Sequence, residues 1–192
     1  MKLEIPFHKQ PGKYDCGYTS LRMVLDYFGE NHEKNQIQEL AGERFTRGAL
    51  AIGIALAANK LGFQTEYYTA DFGIGSRTSR VIEKRGERLD RATVEVQRIL
   101  TEYMELKGRA EERIVPLDEI LGKISSNCVP MVSIKNKPTH MVVIVGYNND
   151  EVCVHDPDRG PFQRWEKETF EDFRRVADWD AIFVYKKNNH TR

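Results

Sequence analysis

Residues 10–30 of the chain read QPGKYDCGYTSLRMVLDYFGE, and this stretch predicts the first element of the fold. Four apolar side chains recur at the spacing of one helix face: Leu21, Val24, Leu25 and Phe28. Gly29 then marks the end of the helix, and Cys16 lies in its first turn. The free N–H groups and the dipole at a helix N-terminus favour negative charge, so the pattern predicts a thiol placed where its thiolate is stabilised.

The composition is that of an ordinary globular protein. The chain has 192 residues, 40% of them hydrophobic, and a formal net charge of zero. This length predicts a single domain over 1–192, and the balanced charge argues against nucleic acid or a membrane as a partner. The N-terminus has no signal-peptide pattern, and no apolar stretch is long enough to span a bilayer. Three sparse cysteines are typical of free thiols, so we expect a cytoplasmic location.

The order of the hydrophobic patterns predicts an α+β fold. Apolar helical periods dominate early, and β-branched runs separated by turn residues dominate late, which is typical of helices followed by an antiparallel sheet. The expected helices lie at 35–43, 49–61, 115–126 and 168–176. The expected strands lie at 63–69, 129–135, 140–148, 151–156, 162–165 and 180–186. We also expect a short strand at 3–7, and it should lie at a sheet edge because Pro6 lacks an N–H group.

The segment 73–113 differs from its surroundings and reads as an inserted, charged amphipathic helical segment. Apolar residues recur there every seven positions: Ile82, Leu89, Val96 and Tyr103. This spacing predicts a long helix over 80–107 with a narrow apolar seam. Three interpretations stay open: the helix packs on its own domain, pairs with a second copy in a homodimer, or forms a lid over a cleft.

A nucleophilic cysteine needs a base, normally a histidine that a third polar group orients. His140 opens an apolar strand, and Asp156 ends the next strand along the chain. If the two strands pair through the turn at 148–150, His140 lies beside Asp156 or Asp158. Asp156 would then accept a hydrogen bond from the imidazole Nδ1–H. The Asp-Pro-Asp-Arg-Gly sequence also predicts ordinary turn chemistry for Asp156, and the two roles are compatible.

Acyl transfer also needs hydrogen-bond donors for the oxyanion. The Cys16 backbone N–H is one candidate, and the side-chain amide of Gln10 is the other. Asp15 complicates this interpretation: it is placed to cap the helix, but a carboxylate beside the thiol would raise the thiol pKa. Cys153 and His155 share a strand without the ligand spacing of a zinc site, so we expect no metal and no cofactor.

Taken together, these residues resemble a known family. Gln10, the Asp15-Cys16-Gly17 triplet, His140 before a Val/Ile-rich strand and Asp156-Pro157 are similar to the papain-like cysteine peptidases, in particular to the double-glycine leader (bacteriocin-processing) peptidases. The likeness covers most of 3–70 and 115–185. It implies a papain-like fold in which an N-terminal helical half, carrying the Cys16 helix, packs on an antiparallel sheet half. It also implies Cys16 as nucleophile, His140 as general base and acid, Asp156 as the orienting residue and Gln10 as oxyanion donor.

Three functions are compatible with these residues. The resemblance favours a thiol-dependent hydrolase, a peptidase or amidase that acts through an acyl-enzyme on a peptide or amide substrate. An acyltransferase would use the same cysteine and pass the acyl group to an amine or thiol. A catalytically idle module would instead bind partners through the helix at 80–107. Rapid alkylation of Cys16 below pH 7 would argue against the idle module.

Overall fold

The computed structural model describes residues 1–42, 48–73, 89–135 and 140–187. Its helices are α1 (Cys16–Tyr27), α2 (Lys34–Leu40), α3 (Ala51–Lys60), α4 (Leu89–Glu105), α5 (Leu117–Lys123) and α6 (Lys167–Arg175). Its strands are β1 (Gln64–Thr69), β2 (Arg109–Glu112), β3 (Cys128–Ile134), β4 (His140–Tyr147), β5 (Glu151–Asp156), β6 (Gly160–Glu166) and β7 (Ala181–Tyr185). The predicted α+β class is confirmed. Within these ranges, no helix is long and apolar enough to cross a membrane.

The strands form one sheet in the order β2-β1-β7-β3-β4-β5-β6. Every neighbouring pair is antiparallel except β1 and β2, which are parallel. Strand β3 is buried along its whole length, and β4 is buried up to its last residue. This burial explains why both strands read as continuous apolar runs rather than as an alternation. Helix α1 packs on β3 and β4, while α3 packs on β1 and β7.

Helix α1 buries the face that the sequence pattern predicted, and Leu21, Val24 and Leu25 are fully buried. The helix ends at Tyr27, and Gly29, whose φ is +87°, follows as the expected stop signal. The Glu30 N–H donates to the Leu25 carbonyl, and the Gly29 N–H donates to the Asp26 carbonyl. This pair of bonds is a Schellman motif, which requires the left-handed conformation that glycine adopts without strain.

The strand predicted at 3–7 is wrong. Residues 3–7 form no strand, and the neighbouring Lys2 makes an isolated bridge with Gly146. The pairing of β4 with β5 contains a bulge between Ile144 and Gly146, which leaves Val145 unpaired. The Val145 carbonyl accepts a hydrogen bond from the Leu3 N–H at 2.7 Å instead. The N-terminal segment therefore attaches to the second half of β4, since β3 pairs only with residues 140–143 of that strand.

The predicted helix in the inserted segment is present over α4, whereas its expected start at 80–88 lies outside the described residues. The seam of α4 is buried at Ala92, Val96, Ile99, Leu100 and Tyr103. Helix α4 packs on α3, and the Thr65 hydroxyl of β1 donates to the Tyr103 hydroxyl.

Strand β2 was not predicted, because its Arg-Ala-Glu-Glu sequence has low β-propensity. The homodimer through helix α4 stays a prediction, since the chain itself covers the described seam.

Two helical glycines give a matched test of the packing. A Cβ atom at Gly53 of α3 would lie 2.4 Å from the Ala41 carbonyl oxygen, whereas a Cβ atom at Gly122 of α5 meets nothing within 4 Å. We expect Gly53→Ala to lower the free energy of unfolding by about 1–3 kcal/mol, because backbone must move to relieve the overlap. Gly122→Ala should raise it by about 0.5–1 kcal/mol through helix propensity. Urea denaturation of both variants measures the difference, and equal effects would contradict this packing of α2 on α3.

Candidate active site

Cys16 is the first residue of α1 and is half-buried at the helix N-terminus. The preceding Asp15 does not cap the helix, contrary to one interpretation of the sequence, since its side chain makes no capping hydrogen bond. Its carboxylate instead pairs with the Lys34 ammonium group at 3.2 Å. The Lys34 charge therefore compensates the Asp15 carboxylate, which reduces its unfavourable effect on a thiolate at Cys16.

His140 and Asp156 form a buried pair across two neighbouring strands. The imidazole Nε2 lies 2.7 Å from Asp156 Oδ1, and the two side chains are 6% and 1% exposed. The expected contact through Nδ1 is wrong. The β4–β5 register pairs Val143 with His155, so Asp156 is diagonal to His140 rather than opposite it. Such diagonal side chains start about 7–8 Å apart, which the distal ring nitrogen can span.

Asp156 also organises the turn that follows β5. Its Oδ1 accepts the backbone N–H groups of Asp158 at 2.8 Å and Arg159 at 3.0 Å. Burial opposes ionisation of this carboxyl, but the hydrogen bond and charge of His140, with the two turn amides, lower its pKa below the usual value. Asp156 thus has both of the roles that the sequence indicated: it stabilises the turn and it is the partner of His140.

His140 connects this carboxylate to the cysteine. Burial lowers the imidazole pKa, but hydrogen bonds to Asp156 and to the Cys16 side chain outweigh it and raise the pKa to about 9. Because Nε2 is bonded to Asp156, Nδ1 is the ring nitrogen left to face the thiol. The imidazole therefore lies between the Asp156 carboxylate and the Cys16 side chain.

Gln10 is attached to the same turn. Its backbone N–H donates to the Pro157 carbonyl at 2.9 Å, so the segment before Cys16 runs along the end of β5. The side-chain Oε1 is buried and finds no hydrogen-bond donor among the described residues. A buried acceptor without a partner costs about 1–3 kcal/mol. Such groups are uncommon in folded proteins and call for an explanation, a catalytic role being one.

Sequence patterns did not predict two contacts that position the residues around Cys16. Ser20, one helical turn after Cys16, is fully buried, and its hydroxyl donates to the Met141 carbonyl at 3.1 Å. This bond attaches the Cys16 helix to β4 at the residue that follows His140. Lys34, which holds Asp15, lies 19 residues along the chain from it. The i, i+4 spacing from Cys16 could have indicated Ser20, but no local pattern indicates Lys34.

The other histidine of the sheet has a structural role. His155 is fully buried and points to the opposite face from Asp156. Its Nδ1 accepts the Phe162 N–H at 3.1 Å, so Nε2 carries the proton and donates to the Ile5 carbonyl at 2.9 Å. Burial lowers the His155 pKa despite these backbone contacts. The two remaining cysteines are buried, and burial raises the pKa of Cys128 to about 11 and also raises that of Cys153.

Comparison with known proteins identifies the family. A model of the Peptidase_C39 like family matches residues 2–183. The chain belongs to this family. It is a cysteine-peptidase-like enzyme, and the resemblance read from its motifs is confirmed. Two curated relatives, the transport/processing ATP-binding proteins ComA of two Streptococcus pneumoniae strains, are each 34% identical over 65 residues. That match spans 34% of this chain and only 9% of either relative.

Solved structures share the fold. The peptidase domain of Streptococcus ComA, a bifunctional ABC transporter, is 22% identical with a TM-score of 0.59, covering 96% of this chain and 100% of that domain. A double-glycine motif protease from an AMS/PCAT transporter, solved with a leader peptide, is 17% identical with a TM-score of 0.56, covering 96% and 94%. A protein described as a C39-like peptidase from Bacillus anthracis is 14% identical with a TM-score of 0.61, covering 98% and 100%. The papain-like fold is thus confirmed.

The raised pKa of His140 can be measured by NMR titration of the imidazole. We expect a midpoint of about 9 in the unchanged protein. Asp156→Asn should lower it, because the hydrogen-bonded carboxylate that stabilises the imidazolium is removed. His155 provides an internal control, since it lies on the other sheet face and its midpoint should stay below 6.5 in both proteins. An unchanged His140 midpoint in Asp156→Asn would contradict the assigned contact.

Proposed function

We propose that the protein is a cysteine peptidase in which Cys16, His140 and Asp156 act as a triad through an acyl-enzyme. The observation that carries this proposal is the buried His140 side chain, which hydrogen-bonds Asp156 and interacts with the side chain of Cys16 at the start of α1. This chain of contacts links a thiol, a base and an orienting carboxylate in the order that covalent acyl transfer requires. The family membership supports the same chemistry.

In the first half of the reaction, the Cys16 sulfur attacks the carbonyl carbon of the scissile amide. The electron pair of the carbonyl moves to oxygen and then returns as the C–N bond breaks. His140 donates its proton to the leaving amine, and a thioester with Cys16 remains. In the second half, His140 accepts a proton from water as the water attacks the thioester. The thioester C–S bond breaks and the carboxylic acid leaves. His140 keeps the proton taken from water, so Cys16 and His140 are back in their starting state.

The oxyanion formed in both steps needs donors that are in place before the reaction. We assign this role to the Cys16 backbone N–H at the start of α1 and to the side-chain amide of Gln10. The Pro157 carbonyl fixes the Gln10 backbone at 2.9 Å, so the same turn that holds Asp156 also places Gln10. Gln10→Ala should reduce kcat by about 10²–10³-fold, as expected for loss of one oxyanion donor.

A peptide is the substrate that the comparisons support. The double-glycine motif protease with a similar fold was solved in complex with its leader peptide. We propose that this chain also binds an extended peptide and cleaves it. The cytoplasmic location expected from the free thiols stays a prediction, and so does the processing role of the much longer ComA relatives.

Selective alkylation tests the nucleophile. We expect iodoacetamide at pH 6.5 to label Cys16, since this thiol is only half-buried, at the N-terminus of α1 and next to His140. Cys128 and Cys153 should react far more slowly, because both are buried with raised pKa values. Mass spectrometry of the digested protein identifies the labelled position. Preferential labelling of Cys128 or Cys153 would contradict the assignment.

Turnover of a peptide library tests the reaction itself. Cys16→Ala and His140→Ala should each lower kcat/KM by at least about 10³-fold without changing the fold. His155→Gln, on the opposite sheet face, is the matched control for the loss of an imidazole. Cleavage by the Cys16→Ala protein would refute the proposal. Transfer to an added amine that exceeds hydrolysis would identify the acyltransferase instead.

A further inference from the structure

The turn between Gln10 and Cys16 is closed by Asp15 and attached through it to α2. The Asp15 N–H donates to the Gly12 carbonyl at 3.1 Å, and the Asp15 carboxylate folds back over Gly12. A Cβ atom at Gly12 would lie 2.8 Å from Asp15 Oδ2, so a larger residue there would displace the carboxylate. The same oxygen lies 3.2 Å from Lys34 Nζ. The carboxylate therefore has a defined position on the residue that precedes Cys16.

Helix α2 itself gives no reason for a lysine at this position. Lys34 is its first residue, and its first turn reads Lys-Asn-Gln-Ile, without an acidic side chain. The dipole of a helix disfavours positive charge at the N-terminus, so the ammonium group does not stabilise α2. The helix is held instead by Ile37, which is fully buried, and by its packing on α1 and α3. The contact with Asp15 therefore accounts for the cation at this position.

The elements around the start of α1 contribute differently to the charge there. On β4, His140 interacts with the Cys16 side chain, and the Asp156 carboxylate of β5 contacts the other side of the ring. Strand β3 and helix α3 present apolar side chains, Ile134 opposite His140 and Ile54 against the first turn of α1. Helix α2 adds the lysine that pairs with the carboxylate of the preceding turn.

A thiolate at Cys16 and the Asp15 carboxylate would be like charges on adjacent residues. Like charges disfavour ionisation of the thiol, and both groups compete for the same helix dipole. The Lys34 ammonium group lies close to the carboxylate, so the fields of the two charges largely cancel at the thiol. Without the ammonium group, the carboxylate would oppose the thiolate at full strength. The nucleophile thus depends on a cation that a different helix supplies.

We propose that Lys34 is a positioning residue for the reaction. It holds the Asp15 carboxylate and cancels its charge, and it thereby sets the pH above which Cys16 acts as a nucleophile. Lys34 acts through Asp15 and needs no contact with the substrate. This inference rests on the proposed nucleophilic role of Cys16, and it adds α2 to the elements that build the site.

The pH dependence of Cys16 alkylation measures this effect without turnover. Iodoacetamide is the reagent, because it is uncharged and the lysine cannot steer its approach. Mass spectrometry of the peptide that contains Cys16 gives the rates between about pH 4 and pH 10. We expect Lys34→Met to move the pH of half-maximal rate upward by about 0.5–1 unit, because the Asp15 charge then opposes the thiolate. Lys34→Arg should keep the profile of the unchanged protein, since it retains the charge.

A second substitution separates the charge of Lys34 from its packing. Asp15→Asn alone leaves the ammonium group near the thiol and should move the midpoint downward. Asp15→Asn in the Lys34→Met protein removes the uncompensated carboxylate, so the double variant should return close to the profile of the unchanged protein. If Lys34 only packed α2 against the turn, Asp15→Asn would not reverse the effect of Lys34→Met.

Lys60→Met is the matched control. Lys60 of α3 pairs with Glu102 at 2.6 Å and is 26% exposed, close to the 28% of Lys34, and its loss should leave the profile unchanged. Circular dichroism verifies that each variant is folded, and the downward shift in Asp15→Asn decides if Lys34→Met is not. A Lys34→Met profile that coincides with that of the unchanged protein, or a double variant that stays displaced, would overturn the role of Lys34. Failure to cleave peptides bears only on the peptidase function, because alkylation is measured independently of it.

Discussion

The site depends on one buried hydrogen bond, from His140 Nε2 on β4 to Asp156 Oδ1 on β5. A buried carboxylate needs further hydrogen-bond donors, and the Asp158 and Arg159 amides supply two to Asp156 Oδ1. This requirement fixes the register of the two strands and the shape of the turn after β5. The Cys16 helix must then pack at a defined position along β4. The hydrogen bond from the Ser20 hydroxyl to the Met141 carbonyl holds it there.

The local spacing of apolar residues predicted the helices and strands that pack on a continuous core. The apolar runs of β3 and β4, the buried face of α1 and its glycine stop all follow from spacing alone, because period and burial are linked. The proximity of His140 to Asp156 also followed, since a hairpin constrains its strand ends. The imidazole nitrogen that contacts Asp156 could not be predicted in this way, because it depends on a bulge and on the diagonal register of the two strands. Lys34, the parallel pairing of β2 and the attachment of Leu3 depend on contacts between distant parts of the chain, which no local pattern contains.

Helix α4 lies next to the helix that adjoins the candidate site. Its seam packs on α3, and α3 also adjoins the residues that flank Cys16. The apolar seam of α4 therefore covers part of the core. The family membership describes the reaction class.

The turn after β5 has a consequence for protein engineering. Asp156 holds the turn amides through its side chain, and the next residue, Pro157, holds the Gln10 backbone through its carbonyl. The two segments therefore form one transferable unit, although they are far apart in the sequence. A chimera that exchanges the turn between relatives must exchange the segment around Gln10 with it, since a turn of different length would displace the histidine partner and the amide in the same movement.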